Sequence, residues 1–177
     1  MVEVYIGLGS NLQNPGEKIK QARAVLAESE GLVELGFSSL YSSPPMGPQD
    51  QPDYVNAVMS IRTELEAIDL LRVLQQIEKD FGRIRKDERW GARTLDLDLL
   101  LYADEEIDLP DLMVPHIGIA QRAFVLYPLQ EIAPEGLLIP GKGLLKTKTR
   151  KTSKLSFVAR TSSSSSLPSF PKISFLL

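Results

Sequence analysis

The sequence predicts an α+β fold, a ferredoxin-like β-α-β-β-α-β sandwich in which helices pack on an antiparallel sheet, followed by a carboxy-terminal extension. Segments with strand-like alternation and segments with helix-like spacing of apolar residues follow one another in that order. Glycines and prolines separate these segments. The length of 177 residues is about that of one ordinary domain. In this arrangement we expect the helices on one face of the sheet.

The first two predicted elements are a buried strand and a helix. Residues 2–8 are apolar and rich in β-branched side chains, and we expect Gly7 and Gly9 to end this strand. A helix follows, because Asn14 can cap free N–H groups and Pro15 suits the first helical position.

The next two predicted strands lie on either side of a proline-rich loop. Residues 32–41 predict the second strand and residues 54–63 the third, whereas four prolines make 42–52 a loop. Alternate side chains of the third strand form its better core face. These side chains are Val55, Ala57, Met59 and Ile61.

The second half of the predicted domain begins with another helix. Apolar residues at helical spacing mark this helix over 70–81, and Gly82 ends it. A charged loop over 83–93 leads to a strand over 94–102, and a last helix covers 121–129.

Composition divides the chain into a domain of residues 1–142 and a basic, Ser-rich tail of residues 143–177, which we expect to be poorly ordered. Up to Gly136, 23 acidic residues outweigh 12 Lys plus Arg and give a net charge of −11, whereas the remainder carries +8. An acidic domain argues against general nucleic-acid binding, which needs a basic face.

Other classes of protein are excluded by what the sequence lacks. Without Cys there is neither a disulfide framework nor a thiolate metal site. No stretch approaches the roughly 20 apolar residues that cross a bilayer, and the first residues do not form a secretory signal. We therefore expect a cytoplasmic protein with no membrane partner.

Asp96 and Asp98 form the strongest local signal, in the segment RTLDLDL that begins at Arg93. On a strand both carboxylates point one way, while the alternating residues Leu95, Leu97 and Leu99 point into the core. Carboxylates two residues apart lie roughly 6–7 Å apart at the backbone, close enough to hold a metal or a metal pair. Oxygen ligands without His or Cys favour Mg²⁺, which also takes ligands from substrate phosphates. An amphipathic strand with a wet, acidic face is the alternative.

A cluster of cations precedes the acidic pair. Its members are Arg83, Arg85, Lys86, Arg89 and Arg93. Guanidinium groups fork onto phosphate oxygens, so cations beside carboxylates that bind Mg²⁺ can hold a polyphosphate. Trp90, the only Trp, lies among them next to Gly91, which indicates a lid that closes on a ligand and excludes water. A solvated charged loop is the alternative, but it leaves Trp90 unexplained.

Two further features carry weaker signals. The segment GLGSN that begins at Gly7 fails the dinucleotide-binding pattern, because Leu12 stands where the third glycine is needed. A tight turn is its simpler interpretation. His116 is the only His, cannot build a zinc site by itself, and could at most donate a hydrogen bond to a polyphosphate.

Five segments, in order and with matching gaps, resemble the 6-hydroxymethyl-7,8-dihydropterin pyrophosphokinase family. They are GLGSNL from Gly7, SSPPMGPQDQPDYVNA from Ser42, GRIRK from Gly82, RWGARTLDLD from Arg89 and VPH from Val114. The resemblance runs over residues 5–140. It implies a ferredoxin-like fold and transfer of pyrophosphate from ATP to the pterin alcohol, with release of AMP, in folate biosynthesis. The tail differs from the usual end of this family.

The resemblance also implies residues for the nucleotide side of the reaction. Two Mg²⁺ ions would be held by Asp96 and Asp98, and Arg83 and Arg93 would act on the phosphates as further catalytic residues. Lys86, Arg89 and Trp90 would belong to a mobile lid. ATP would be bound by Gln75, Glu78, Arg85, Lys86, Trp90, Arg93, Leu99, His116 and Arg122.

For the pterin, the resemblance implies an aromatic slot. Tyr54 and Phe124 would sandwich the flat ring, and Asn56 would read its amide edge. The full set is Ser43, Pro44, Met46, Tyr54, Asn56, Trp90 and Phe124, with Ser43 at a position where related enzymes often have Thr. Independently, alternation places Tyr54 and Asn56 on one face of their strand.

Two other functions compete with this one. A non-catalytic nucleotide-sensing module would not need paired carboxylates beside an arginine-rich loop. RNA binding would place basic and aromatic residues on the exposed sheet face, where this chain offers acids. We expect a monomer or weak homodimer whose partners are ATP and the pterin, with no nucleic acid.

Overall fold

The computed structural model describes residues 1–46, 48, 50–83 and 92–145. Within these ranges three helices and nine strands follow one another along the chain. They are β1 (Val2–Ser10), α1 (Pro15–Glu28), β2 (Leu32–Phe37), β3 (Tyr41–Ser43), β4 (Tyr54–Thr63), α2 (Ala67–Asp80), β5 (Asp96–Tyr102), β6 (Ile107–Leu109), β7 (Leu112–Val114), α3 (Ala123–Ile132), β8 (Leu138–Ile139) and β9 (Gly143–Leu144).

The main sheet is antiparallel, with its strands in the order β2-β4-β1-β5, and β3 also pairs with β4. The central pair, β1 and β4, is in register from Val2 opposite Thr63 to Ser10 opposite Val55. Pairing of β1 with β5 shifts at a bulge between Tyr5 and Ile6. The prediction of an α+β fold with an antiparallel sheet and packed helices is therefore confirmed.

Helices α1 and α2 cover one face of this sheet. Apolar residues at helical spacing put Leu70 and Leu74 of α2 in the core, where neither side chain is exposed to solvent. They pack with the predicted core face of β4, whose four residues are all buried in the same cluster. Burial of such a side chain stabilises the fold by roughly 1.5–3 kcal/mol.

Helix α3 covers the opposite face, although the sequence predicts all helices on one face. Val58 of β4 and Leu100 of β5 point to that side and pack with Val125 and Leu129 of α3. Because both faces are covered, β4 is buried along almost its whole length. The sandwich therefore has three layers near α3: α1 and α2, the sheet, and α3. The candidate site lies between the sheet and the start of α3.

Several predicted boundaries are wrong. Strand β1 continues through Gly7 and Gly9, because both pair with β4 and β5. The predicted strand over 32–41 is two strands, and β3 takes its last two residues from the predicted loop. Asn14 makes no capping bond with its side chain, since its backbone lies in the left-handed region at φ 63°.

The carboxy-terminal part of the described chain contains two short hairpins that the sequence does not predict, β6–β7 and β8–β9. Leu145 is buried in the second core cluster, so the chain is still packed at the start of the predicted tail. The rest of that tail, residues 146–177, lies outside the described residues. Among the described helices, none combines the length and apolar character needed to span a membrane.

Candidate active site

A cleft opens between the sheet and the start of α3, with a volume of about 210 Å³. That volume is more than ten times the roughly 15 Å³ that a single water needs by such a measure, so the cleft has room for an organic ligand. It is lined by Gly7, Leu8, Gly9, Ser43, Pro44, Met46, Tyr54, Asn56, Ala57, Arg93, Asp96, Asp98, Leu100, His116, Arg122, Phe124 and Val125.

At the acidic end of the cleft, Asp96 contacts two arginines. Arg83 Nη1 lies 2.7 Å from its Oδ1, and Arg93 Nη1 lies 2.6 Å from its Oδ2. Burial disfavours the charge of Arg93, but the charge and hydrogen bond of Asp96, together with the charges of Asp98 and Tyr54, outweigh that effect and raise the pKa of Arg93. The carboxylate thus holds two guanidinium groups at this end of the cleft, and of the two arginines only Arg93 lines it.

Asp98 lies two residues further along β5, on the same side of the strand as Asp96. Burial in the cleft, and next the charge of Asp96, raise the pKa of Asp98 to about 7. The Asp98 side chain lies in the cleft and not in the core, and 37% of its surface is exposed there. Two neighbouring carboxylates that resist being ionised together suit a site whose charge is completed by a cation.

Glu78 of α2 lies beneath this end of the cleft and is only 3% exposed. Its Oε1 accepts a hydrogen bond from the backbone N–H of Leu97, at 2.7 Å, and also pairs with Arg83. One side chain therefore fixes both the strand that carries the two aspartates and an arginine that contacts Asp96. The structure gives Glu78 a supporting position behind the cleft, since it is not among the lining residues.

At the other end of the cleft, Asn56 and Ser43 form a fixed polar pair. Asn56 Nδ2 donates to Ser43 Oγ at 2.9 Å, and both residues are buried. Tyr54 lies on the same face of β4, and Phe124 enters from α3, so both predicted aromatic residues line the cleft. Alternation along β4 places Tyr54 and Asn56 on one face of the strand, as the sequence predicts.

His116 and Arg122 line the side of the cleft nearest Asp98. The Gly118 N–H donates to His116 Nδ1 at 3.1 Å, so the ring hydrogen lies on Nε2, which is 3.9 Å from Asp98 Oδ2. Burial, and next the charge of Arg122, lower the pKa of His116. A neutral imidazole with its N–H toward the acidic end can donate a hydrogen bond there.

Gly118 also makes room for Arg122. A Cβ at this position would lie 2.5 Å from Arg122 Nε. On the floor of the cleft, a Cβ on Gly7 would lie 3.3 Å from the Leu100 side chain. Glycines at these positions therefore leave the floor open and allow the arginine to lie beside the histidine.

Other predicted site residues lie elsewhere. Leu99 is buried in the core on the opposite face of β5, and Gln75 is half-buried on α2; neither lines the cleft. Met46 lines it with a side chain that is 56% exposed. The predicted residues Arg85, Lys86, Arg89 and Trp90 lie outside the described residues.

Some lining residues escape prediction from the sequence. Leu100 and Val125 are apolar and lie outside the five segments that carry the resemblance, so only the packing of α3 on the sheet brings them to one cleft. Leu100 shares a face of β5 with Asp96 and Asp98 by alternation, and the bulge in the β1–β5 pairing turns Leu101 to the side of α3 as well.

Comparison with known proteins gives a consistent result. Residues 5–134 match the model of the 7,8-dihydro-6-hydroxymethylpterin-pyrophosphokinase (HPPK) family. The chain is 48% identical over 141 residues to the 2-amino-4-hydroxy-6-hydroxymethyldihydropteridine pyrophosphokinase of Pseudomonas aeruginosa, covering 80% of this chain and 86% of that one. The protein of the same name from Haemophilus influenzae is 47% identical over 145 residues, covering 82% and 89%.

Among solved structures, the fold is similar to that of Plasmodium falciparum HPPK-DHPS crystallised with pteroate. The TM-score is 0.65 at 14% sequence identity. The match covers 81% of this chain and 41% of the Plasmodium chain, so this chain spans less than half of that longer protein. At this identity the likeness concerns the fold alone.

Proposed function

The chain belongs to the 7,8-dihydro-6-hydroxymethylpterin-pyrophosphokinase family, and we propose that its cleft binds Mg²⁺-ATP at the acidic end and the pterin at the aromatic end. The reaction of the family transfers pyrophosphate from ATP to 6-hydroxymethyl-7,8-dihydropterin, in folate biosynthesis. The pterin hydroxymethyl oxygen bonds to the β-phosphorus, the bond from that phosphorus to the α,β-bridging oxygen breaks, and AMP leaves. The hydroxyl proton is lost in the process.

The observation that supports this arrangement best is the position of the two aspartates. Both face a cleft that also contains arginines, and no group of three or more His, Cys, Asp or Glu able to hold a metal occurs in the described ranges. A pair of carboxylates leaves most positions around Mg²⁺ for phosphate oxygens and water, which is how Mg²⁺ usually binds nucleotides. Asp96 and Asp98 would hold the ion, and we expect two ions. Bound there, Mg²⁺ would neutralise charge on the phosphates.

The cations around the cleft bind and stabilise the phosphate chain. Arg83 and Arg93 are held by Asp96 at one side, and Arg122 lies beside His116 at the other. Guanidinium groups stay charged and match phosphate oxygens in pairs. Negative charge that moves toward the departing AMP oxygen therefore stays within reach of fixed positive groups.

The aromatic end orients the acceptor. A flat bicyclic ring fits between Tyr54 and Phe124, and the Asn56 amide, fixed by Ser43, recognises donors and acceptors at the ring edge. Binding of both substrates in one cleft brings the hydroxymethyl oxygen to the phosphate chain. Positioning of this kind, together with electrostatic stabilisation, accounts for the rate gain in such a transfer.

Several finer statements belong to the same proposal. The strand order β2-β4-β1-β5, with α1 and α2 on one face, supports a ferredoxin-like arrangement to which α3 is added. We also propose that the protein works in the cytoplasm, as a monomer or weak homodimer. A nucleotide sensor without turnover is not favoured, because the relatives named above are pyrophosphokinases.

Phosphorus NMR of the reaction mixture tests this assignment. With Mg²⁺-ATP and 6-hydroxymethyl-7,8-dihydropterin, we expect signals of AMP and of a diphosphate ester of the pterin. Removal of Mg²⁺ with a chelator should stop both. Formation of ADP with a pterin monophosphate would contradict attack at the β-phosphorus.

A further inference from the structure

Asn11 follows β1 directly and is only 1% exposed. It does not line the cleft. Its side-chain amide makes three hydrogen bonds: Nδ2 donates to Gln51 Oε1 and to the Pro52 carbonyl, each at 3.1 Å, and Oδ1 accepts from the Arg93 N–H at 2.8 Å. The bonds span 40, 41 and 82 positions in the sequence.

The bond to Arg93 fixes the backbone of a residue at the acidic end. Both polar backbone groups of Arg93 pair with Asn11, since the Asn11 N–H donates to the Arg93 carbonyl at 3.1 Å. Polar backbone groups inside a protein need such partners. With its backbone held twice, Arg93 can aim its guanidinium at Asp96.

The bonds from Nδ2 fix the segment that enters the aromatic end. The Pro52 carbonyl lies two residues before Tyr54, at the start of β4. Gln51 in turn donates through Nε2 to the Pro48 carbonyl at 3.0 Å. Gln51 and Pro52, and through Gln51 also Pro48, are therefore connected to the same amide that holds Arg93.

We propose that Asn11 is a positioning residue that couples the pterin end of the cleft to Arg93 at the phosphate end. The inference rests on the proposed function, which assigns the two ends to the two substrates. An amide suits the task because a single planar group presents two donors to one segment and an acceptor to the other. Because the two segments are tied together, the pterin and the ATP phosphates are held in a fixed position relative to each other.

Ser10 provides a matched control for a merely structural role. Its hydroxyl is fully buried and donates to the Thr94 carbonyl at 2.6 Å, so it ties the same strand end to the same segment. Within the described part of the chain, the Ser10 hydroxyl makes no hydrogen bond to Gln51 or Pro52. Ser10→Ala should therefore cost stability without changing the apparent affinity for the pterin.

The test measures kcat and both KM values for AMP formation. Asn11→Asp keeps an acceptor for the Arg93 N–H but sets an oxygen against the oxygens of Gln51 and Pro52. Loss of these two partly buried hydrogen bonds should raise the pterin KM by about 10- to 30-fold. The ATP KM should stay within about twofold, because the bond to Arg93 is kept.

Gln51→Ala is the second variant, in case Asn11→Asp does not fold. It removes one of the two acceptors at a less buried position, and we expect the pterin KM to rise by about threefold to fivefold. An unchanged pterin KM in either folded variant, or an equal rise in Ser10→Ala, would overturn the coupling. Absence of AMP formation by the unaltered protein would instead contradict the proposed function itself, and the coupling with it.

Discussion

The Arg93 guanidinium nitrogen Nη1 lies 2.6 Å from Oδ2 of Asp96. The other oxygen of the same carboxylate faces Arg83, at 2.7 Å. Asp98, by contrast, has a pKa raised to about 7 by burial and by the neighbouring Asp96. Two carboxylates on one strand face are thus given different surroundings, one between guanidinium groups and the other at the wall of the cleft. Different surroundings allow paired carboxylates to take different roles.

Replacement of Asp96 by alanine should abolish the transfer and leave the fold intact. The change removes a proposed metal ligand and the anchor of two arginines, and we expect a loss of at least about 10²–10³ in the rate of AMP formation. Asp108→Ala, which removes an exposed carboxylate on β6, is the control and should keep the rate of the unaltered protein. Nearly normal turnover by a folded Asp96→Ala variant would contradict the metal assignment.

Binding of Mg²⁺ with a non-hydrolysable ATP analogue should release a proton from Asp98 below about pH 7. A protonated carboxyl cannot ligate the ion, so affinity should weaken as the pH falls below that value and level off above it. Calorimetry in buffers of different ionisation enthalpy counts the protons released. Asp98→Asn is the control, because it removes the titrating group. Equal proton release by the two proteins would show that Asp98 does not titrate on binding.

The single imidazole of the chain should be neutral at neutral pH, with its hydrogen on Nε2. Burial and the charge of Arg122 lower its pKa below the ordinary 6.5, and Nδ1 accepts from the Gly118 N–H. Protonation should therefore disfavour the folded state as the pH falls through 6.5. Since His116 is the only His, long-range ¹H–¹⁵N spectra assign its tautomer without ambiguity. A hydrogen on Nδ1, or an imidazolium at neutral pH, would contradict this placement.

Glu78→Ala should destabilise the protein by about 3 kcal/mol, because it leaves the buried N–H of Leu97 without its acceptor and removes one of the two carboxylates that pair with Arg83. Chemical denaturation measures this change in the free energy of unfolding. Glu17 makes an exposed ion pair with Lys20, and Glu17→Ala should cost about 0–1 kcal/mol. Similar losses in the two variants would contradict the supporting position of Glu78.

Local patterns predicted the parts of the site that lie on regular strands. Alternation alone places Asp96 beside Asp98, and Tyr54 beside Asn56, because side chains on a strand repeat every second residue. The same rule identified the core face of β4, which the structure confirms.

What the sequence could not show depends on contacts between distant segments. Asn11 reaches residues 40 to 82 positions away, and no local pattern encodes such a bond. Coverage of Val58 by α3 likewise comes from tertiary packing, which hides an apolar residue on a face predicted to be the poorer core face. The two short hairpins have strands of two or three residues, too short for any periodicity to be visible.

The central claim is that this cleft transfers pyrophosphate to the pterin, and the initial rate of AMP formation tests it most directly. The rate should be measured with Mg²⁺-ATP, in the presence and absence of 6-hydroxymethyl-7,8-dihydropterin, for the unaltered protein and for Asp96→Ala. The account predicts AMP only when the pterin is present, at a rate that Asp96→Ala abolishes. AMP formation that does not depend on the pterin, or none at all from the folded protein, would contradict it.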